Sequence, residues 1–221
     1  MLKYNYINLK KKLMKNYHIG CGYVIGKNWL NYDSSLIAFI DQIPILNKIN
    51  QINDLKFPKN ILYGNIVKKK LCNSDFADNI YCSHVLEHVS YLDAKKVLKN
   101  IYDMLKKDGV FRIVVPSLKS RVENYNVDND ANKFMESLGC VNKNENLDII
   151  SKLRFLFGGS RHRWMYDDKS LKNELIEAGF INIRKCEFGD SGSEIFSEVE
   201  DEDRFYSKSG KFQEIAFHCL K

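Results

Sequence analysis

Short apolar runs with strand character alternate along this chain with amphipathic, helix-forming segments. Because strands that are separated by helices pair in parallel, this alternation predicts a three-layer α/β sheet. A last apolar run, EIAFHCL (214–220), is expected to add an antiparallel strand at the C-terminal end. The earlier strand candidates, rich in β-branched and aromatic residues, are NYHIG (16–20), WLNYD (29–33), KNILYGNIV (59–67), DNIYCSHV (78–85), VFRIVVP (110–116) and INIRKCEF (181–188).

Three helices are predicted between these strands. Over LDAKKVLKNIYDMLKKDG (92–109) the apolar residues recur at helical spacing, with Asp93 as the expected N-cap and Gly109 as the expected left-handed end. The segment SLKNELIEAGF (170–180) has the same pattern. A further helix is expected in SSLIAFIDQI (34–43), directly before a proline that ends it.

A chain of 221 residues, 44% of them hydrophobic, is long enough for one core, and we expect a single domain over residues 1–221. Apolar residues at helical spacing predict a helical extension over residues 1–16. Residues 117–163 are polar and prone to helix. We expect them to form a helical insertion over the edge of the sheet where the parallel strands end, which is where such sheets bind ligands.

Charge and cysteine content narrow the class of protein. The net charge is +6, but the cations are mostly lysines without interleaved aromatic residues, which disfavours a nucleic-acid partner. No apolar run approaches the roughly 18 residues of a membrane span. The basic N-terminus lacks the apolar core of a secretory signal, and a short membrane-surface helix there is the alternative. Six cysteines without a C-x-x-C pair indicate reduced thiols and a cytoplasmic location.

The segment HIGCGYVIG (18–26) places glycines directly after the first predicted strand. Gly20 and Gly22 allow a sharp turn and close approach to a ligand, with free amides available to an anion. The spacing differs from the G-x-G-x-x-G fingerprint of dinucleotide sites. Asp33 follows Gly22 too soon for a full crossover helix, which favours a smaller ligand whose ribose diol donates to the carboxylate. The competing interpretations are a tight turn without a ligand and a helix N-cap at Asp33.

Four segments, taken in order, resemble the class I S-adenosylmethionine-dependent methyltransferases, and most closely small bacterial enzymes of the methyltransferase-11 type. The resemblance implies a Rossmann-like methyltransferase sheet with S-adenosylmethionine as cofactor and S-adenosylhomocysteine as product. It leaves the methyl acceptor and the oligomeric state open. The segments are HIGCGYVIGKNWLNYD, SDFADNIYCSHVLEHV, MLKKDGVFRIVVPSL and RHRWMYDDKSLKNELIEAGF.

The resemblance implies cofactor-binding residues at the ends of the first two strands. It places the backbone of Gly20, Cys21 and Gly22 under the methionine part of the cofactor. It places Asp33, followed by Ser34, at the ribose hydroxyls.

Residues after the third and fourth strands complete the implied cofactor site. Asn65 and Ile66 are expected to flank the adenine, and Ser83 and His84 to line the floor beneath the sulfonium. Asn65 stands where the family usually has Asp, although its side-chain carbonyl is also an acceptor for the adenine amino group. This departure supports a second hypothesis, a non-catalytic S-adenosylmethionine- or nucleotide-binding protein of the same fold.

The string His84-Val85-Leu86-Glu87-His88 matches the H-x-x-E-H pattern of the inverted zinc peptidases. Such a site needs both histidines on one helical face. Here His84 ends a predicted strand and His88 follows it, so we expect the two on different elements and expect no metal. The zinc peptidase stays a minor alternative, with Glu123 and Glu136 as candidates for a third ligand.

Methyl transfer from a sulfonium is an in-line displacement that depends mainly on positioning. A base is needed only where the acceptor must lose a proton. Histidine titrates near neutral pH, so His84 and His162 are the candidate bases, with His88 beside them. His18, inside the first strand, is expected to be a packed core residue.

The segment GGSRHRWMYD (158–167) is the predicted acceptor site. Its arginines are suited to an anionic group and its aromatic faces to a ring, which favours a small-molecule or sugar-like acceptor. The competing interpretation is that its aromatic residues fasten the insertion to the core. The predicted acceptor-binding residues are His88, Arg161, Arg163, Trp164 and Tyr166.

Overall fold

A seven-stranded sheet forms the centre of the structure, a computed structural model that describes residues 15–35, 38, 58, 60–140, 161–206 and 212–221. The strand order is β3-β2-β1-β4-β5-β7-β6. The pairs among β1 to β5 are parallel, whereas β7 runs antiparallel to both β5 and β6. The mostly parallel sheet and its antiparallel C-terminal strand are therefore confirmed. The strands are β1 (Asn16–Ile19), β2 (Leu30–Asp33), β3 (Leu62–Tyr63), β4 (Ala77–Ser83), β5 (Leu105–Val115), β6 (Ile181–Lys185) and β7 (Ile215–Leu220).

The longest helix, α1 (Tyr91–Met104), begins and ends earlier than its sequence pattern suggested. Its N-cap is Ser90, whose hydroxyl accepts from the amide of Asp93, so the expectation that Asp93 is the cap was wrong. Gly109 does not end the helix, because the chain already enters β5 at Leu105. The other helices are α2 (Leu118–Asp128), α3 (Ala131–Ser137), α4 (Asp168–Ala178) and α5 (Glu202–Phe205), with 3-10 turns at Leu86–His88 and Glu194–Glu198.

The two faces of the sheet are covered differently. Side chains alternate along a strand, so Phe111 and Ile113 of β5 pack into the main core with α1 and α4, while Val114 faces the other side. There a smaller core forms against residues 194–206, including Phe196 and Phe205. The C-terminal segment thus supplies the second outer layer.

A buried cation fastens this C-terminal segment to the sheet. The Arg112 side chain, on β5, is fully buried and pairs with Glu200 and Asp190. It also donates to the carbonyl of Glu187 over 2.6 Å. An unpaired charge in this position is costly. These contacts therefore hold residues 187–206, the C-terminal cover of the sheet, against β5.

Several sequence-based expectations fall wholly or partly outside the described residues. These are most of the helical extension over 1–16, most of the helix over 34–43 and the 141–160 part of the insertion. Within 117–140 the structure contains the helices α2 and α3. Among the described residues, none forms a helix that is both long and apolar enough to cross a membrane.

Candidate active site

The C-terminal ends of β1, β2 and β4 meet at one edge of the sheet. In the β1–β4 pair Ile19 lies opposite Cys82, and in the β1–β2 pair Ile19 lies opposite Tyr32. Gly20, Asp33 and Ser83 therefore come together one residue further on. The chain crosses from β1 to β2 on one side and returns to β4 on the other, and such a switch point is where parallel sheets bind ligands.

The glycine loop after β1 has the backbone that its sequence predicted. Gly20 and Gly22 adopt φ values of +70° and +52°. A Cβ on Gly20 would lie 2.2 Å from Cγ2 of Val85, so the chain after β4 packs directly on this glycine. Only glycine meets both demands at position 20.

The amides of this loop are not free, contrary to expectation. Gly20 and Cys21 both donate to the carbonyl of Tyr32, over 2.9 and 3.1 Å. The Gly22 amide donates to Oδ2 of Asp33 over 3.0 Å. The three N–H groups hold the loop against the end of β2. A ligand can therefore approach the loop backbone closely, but these amides do not form an anion-binding site.

Asp33 ends β2 with its carboxylate beside the loop. Oδ2 accepts from Gly22, and Oδ1 accepts from the amide of Ser35 over 2.7 Å. Each carboxylate oxygen has a further lone pair, so two acceptors stay available to a diol. The neighbouring Ser34 is exposed, and the Cys21 side chain is fully buried.

The adenine side differs from expectation. The side-chain oxygen of Asn65 already accepts from the amides of Val67 and Lys68, over 3.0 and 3.2 Å. This oxygen caps the turn after β3 and is not available to a ligand. Only the side-chain NH₂ group of Asn65 is left to form a hydrogen bond with a ligand, as a donor. Ile66 is 4% exposed and packs in the main core.

His84 follows β4 in a left-handed conformation, with φ +54°. Its Nε2 lies 2.9 Å from the carbonyl oxygen of Arg204, which only accepts, so Nε2 carries a proton. Its Nδ1 lies 3.1 Å from Oε1 of Glu87. Burial lowers the pKa of His84, but the Glu87 carboxylate raises it by more, and the net pKa lies above the usual value. A ring with both nitrogens engaged is a positioned cation and not a ready base.

The H-x-x-E-H string does not form a peptidase site. His84 directly follows β4, whereas His88 lies in the 3-10 turn Leu86–His88, so the two histidines share no helical face. Glu87 between them is fully buried, and burial alone raises the pKa of its carboxyl group. The direct contact with the His84 ring and its charge, with a smaller contribution from His88, outweigh that and hold the pKa below its usual value.

The segment predicted to bind the acceptor folds back onto this turn. The amides of Arg163 and Trp164 donate to the carbonyl of Glu87, over 2.6 and 3.3 Å. His88 donates from Nδ1 to the carbonyl of Arg161 over 3.3 Å. The ring of His162 lies 5.1 Å from that of His88. The predicted catalytic and acceptor residues on 84–88 and 161–164 are thus brought together.

The two aromatic residues of the segment lie in different environments, one buried and one exposed. Tyr166 is 1% exposed and lies in the main core, and its backbone bridges to Ser117 at the start of the insertion. Its ring is out of reach of an acceptor, and the interpretation that it fastens the insertion holds. Trp164 is 44% exposed and lies 4.9 Å from the ring of Tyr91, so its face borders the site.

Arg204 also belongs to the site, although no sequence motif marks it. This residue follows the acidic run 198–203 and begins no recognisable motif. Its carbonyl anchors His84, and Nη2 of its guanidinium lies 3.1 Å from where a Cβ of Gly22 would be. No carboxylate in the described part of the chain forms an ion pair with it. The one sequence feature that could have drawn attention to Arg204 is that a single arginine ends an acidic run.

Comparison with known proteins identifies the family. A family model described as a methyltransferase domain matches residues 19–185, which include the glycine loop, Asp33 and the turn 86–88. The chain belongs to this family. It is a class I S-adenosylmethionine-dependent methyltransferase by descent, as the sequence resemblance implied.

Solved structures agree on the fold of this methyltransferase. An S-adenosylmethionine-dependent methyltransferase from Methanosarcina mazei shares 13% identity at a TM-score of 0.54, over 97% of this chain and 96% of that one. One from Archaeoglobus fulgidus shares 15% identity at a TM-score of 0.51, over 98% and 90%. No curated protein gives a significant match.

The residues at the switch point suit the cofactor of this family. The Gly20 backbone leaves the space that a Cβ would fill, and Asp33 has acceptors left for a ribose. Ser83 adds a buried hydroxyl without a hydrogen-bond partner among the described residues. Arg204 adds a cation over the loop, of opposite charge to the cofactor's carboxylate.

Proposed function

We propose that this methyltransferase binds S-adenosylmethionine at the ends of β1, β2 and β4 and transfers its methyl group in line to a small-molecule or sugar-like acceptor. The observation that carries the proposal is the convergence of Gly20, Asp33 and His84 at the switch point of the sheet. Enzymes of this kind work mainly by holding acceptor and sulfonium in line.

The methionine part of the cofactor would lie on the backbone of Gly20, Cys21 and Gly22, where the φ values and the missing Cβ atoms permit close approach. Its carboxylate would pair with Arg204, whose guanidinium lies above Gly22. A charge-assisted pair of this type is among the stronger hydrogen-bonded contacts.

The nucleoside part would lie across the ends of β2 and β3. The carboxylate of Asp33 would accept from both ribose hydroxyls, with Ser34 at the exposed rim. The adenine would lie beside Asn65 and receive a hydrogen bond from the side-chain amide, since the carbonyl is occupied. Ile66 would support the base only through its backbone, because its side chain is in the core.

Ser83 and His84 would form the floor beneath the sulfonium. The two contacts of the His84 ring, to Glu87 and to the Arg204 carbonyl, support a role in positioning. Acceptor contacts would come from His88, His162, Arg161, Arg163 and Trp164, which border the same edge of the sheet. The arginines favour an acceptor that carries an anionic group.

A non-catalytic cofactor-binding protein of the same fold is the second candidate. Two observations favour it: the carbonyl of Asn65 is not available to the adenine amino group, and His84 has both ring nitrogens engaged. Such a protein would bind the cofactor and respond to it without transferring a methyl group.

Two assays separate these functions. Calorimetric titration with S-adenosylhomocysteine tests the cofactor site, and saturable binding to folded protein is expected. Transfer of a labelled methyl group to pooled small metabolites and glycans then tests catalysis. Binding with no transfer to any pool would favour the non-catalytic protein, and no binding at all would refute both.

A further inference from the structure

We propose that Glu87, His88 and His162 bind one divalent transition-metal ion at the acceptor side of the site. Their ligand atoms, one from each residue, all lie within 4.8 Å of one another. Two imidazoles and a carboxylate are a donor set typical of Zn²⁺ and Fe²⁺ sites. The inference does not depend on cofactor binding or on methyl transfer.

The three ligand atoms are spaced more widely than around a bound ion. Ligand atoms lie about 2.1 Å from Zn²⁺, so in a tetrahedral site two of them are about 3.4 Å apart. The side chains must therefore move together by up to about 1.4 Å when the ion binds. They lie on facing segments, the 3-10 turn at 86–88 and the strip 161–164, which the two hydrogen bonds to the Glu87 carbonyl hold together.

The buried carboxylate of Glu87 lacks the hydrogen-bond partners that such a group needs. Its side chain has no exposed surface, and neither carboxylate oxygen accepts a hydrogen bond of good geometry from the described residues. His84 and His88 both approach Oε1, to 3.1 and 3.7 Å, whereas Oε2 has no hydrogen-bond partner among the described residues. Burying an unpartnered polar atom is costly, and a metal ion would supply a strong partner.

His88 is already oriented as a ligand. Its Nδ1 donates to the carbonyl of Arg161, so in the neutral ring the lone pair lies on Nε2, 3.7 Å from Oε1 of Glu87. Metal-binding histidines commonly donate their other nitrogen to a carbonyl in this way.

His162 is held in place by its backbone and by close packing. Its amide donates to the carbonyl of Gly139 over 2.9 Å. Its ring packs on Gly139 so closely that a Cβ there would lie 2.7 Å from Nδ1. A glycine at this point therefore admits the ring that faces Glu87 and His88.

The proposed site differs from that of an H-x-x-E-H peptidase in its ligands. His84 is not among the three, because its Nε2 is committed to the Arg204 carbonyl. Three protein ligands leave at least one open position on the ion. The side chain of His88 is 25% exposed, so water or an acceptor oxygen can reach the ion from solvent.

Zinc titration of metal-stripped protein, in competition with a chelating dye, tests the proposal. One equivalent of Zn²⁺ is expected to bind to the wild type. His88→Ala and His162→Ala should each weaken binding at least about 100-fold, since even outer contacts of a ligand are worth 10- to 100-fold. His84→Gln is the matched control and should bind with unchanged stoichiometry. Loss of binding in His84→Gln but not in His162→Ala would assign the metal to the peptidase pattern and overturn the proposal.

Cobalt substitution identifies the ligand atoms. Six free cysteines offer an alternative site, and Co²⁺ bound by thiolate shows a charge-transfer band that imidazole and carboxylate do not give. A spectrum without that band, lost in His162→Ala, is expected. A thiolate band, or no binding at all by wild-type protein with native circular dichroism, would refute the site. If His162→Ala fails to fold, His162→Gln with the same cobalt spectrum takes its place.

Discussion

The ring of His84 donates a hydrogen bond of 2.9 Å to the carbonyl of Arg204, a residue 120 positions later in the chain. The contact joins the end of β4 to the C-terminal cover of the sheet. The Arg204 guanidinium also lies over Gly22. Arg204 therefore connects His84, the C-terminal cover and the glycine loop. The cover segment is therefore expected to take part in cofactor binding.

Arg204→Ala should weaken binding of S-adenosylhomocysteine by about 10-fold or more, as for a lost hydrogen bond to a charged group. The effect should be absent for 5′-methylthioadenosine, which lacks the methionine carboxylate. Arg204→Lys should recover part of the loss. Calorimetry with the two ligands measures the difference, and an equal loss for both would show that Arg204 acts only on the cover.

Gly20→Ala and Gly22→Ala form a matched pair for the loop. At Gly20 a methyl group meets the packed Val85 side chain, so strain of about 1–2 kcal/mol from the left-handed backbone adds to about 1–3 kcal/mol of overpacking. At Gly22 the nearest atom is the movable end of Arg204, so only the backbone cost is expected. Urea unfolding should rank Gly20→Ala as clearly less stable, and equal losses would contradict the packing.

The fold was predictable because its signals are local. Apolar, β-favouring runs mark strands such as β4, helical periodicity marks helices such as α1, and the short interval from Gly22 to Asp33 marks the short crossover. The errors lie at the element ends. Asp93 and Gly109 have the right chemistry for caps, but Ser90 competes as a cap and the pairing of β5 with β4 already begins at Leu105.

Glu214→Ala should lower the free energy of unfolding by about 3–5 kcal/mol, because it leaves the buried Arg121 guanidinium unpaired. Arg121, on α2, binds both oxygens of Glu214, the residue before β7, with Nη2 to Oε1 at 2.7 Å. The exposed pair Lys119–Glu123 on the same helix is the control, where Glu123→Ala should cost at most about 1 kcal/mol. Denaturant unfolding checks both. A loss for Glu214→Ala no larger than that of the control would contradict the buried pair.

His18 predicts a dependence of stability on pH. Burial, helped by the charge of Arg204, lowers its pKa to about 3, while in the unfolded chain it is about 6.5. Between these values the unfolded state binds the extra proton, so stability falls as pH drops through this window. His18→Gln should remove up to about 1.4 kcal/mol per pH unit of that slope. Parallel unfolding curves for wild type and variant from pH 6.5 to pH 4 would count against the buried neutral ring.

The site was only partly predictable, because its contacts are long-range. The meeting of Gly20, Asp33 and His84 follows from strand order, which a sequence resemblance implies. The approach of Arg204 to His84, and of His162 to Glu87, depends on how the C-terminal cover and the strip 161–164 pack, and no local pattern encodes either. Tyr166 was predicted from its motif to bind the acceptor, but tertiary packing buries its ring in the core.

The most direct test of the account is the dissociation constant of S-adenosylhomocysteine for Asp33→Asn compared with Asp128→Asn. Asp33 is proposed to accept from the ribose diol, and Asp128 is an exposed carboxylate on α2. Asp33→Asn should bind about 10- to 100-fold more weakly than wild type, as expected for a lost hydrogen bond to a charged group, and Asp128→Asn should bind like wild type. Unchanged affinity in a well-folded Asp33→Asn protein would contradict the proposed cofactor site.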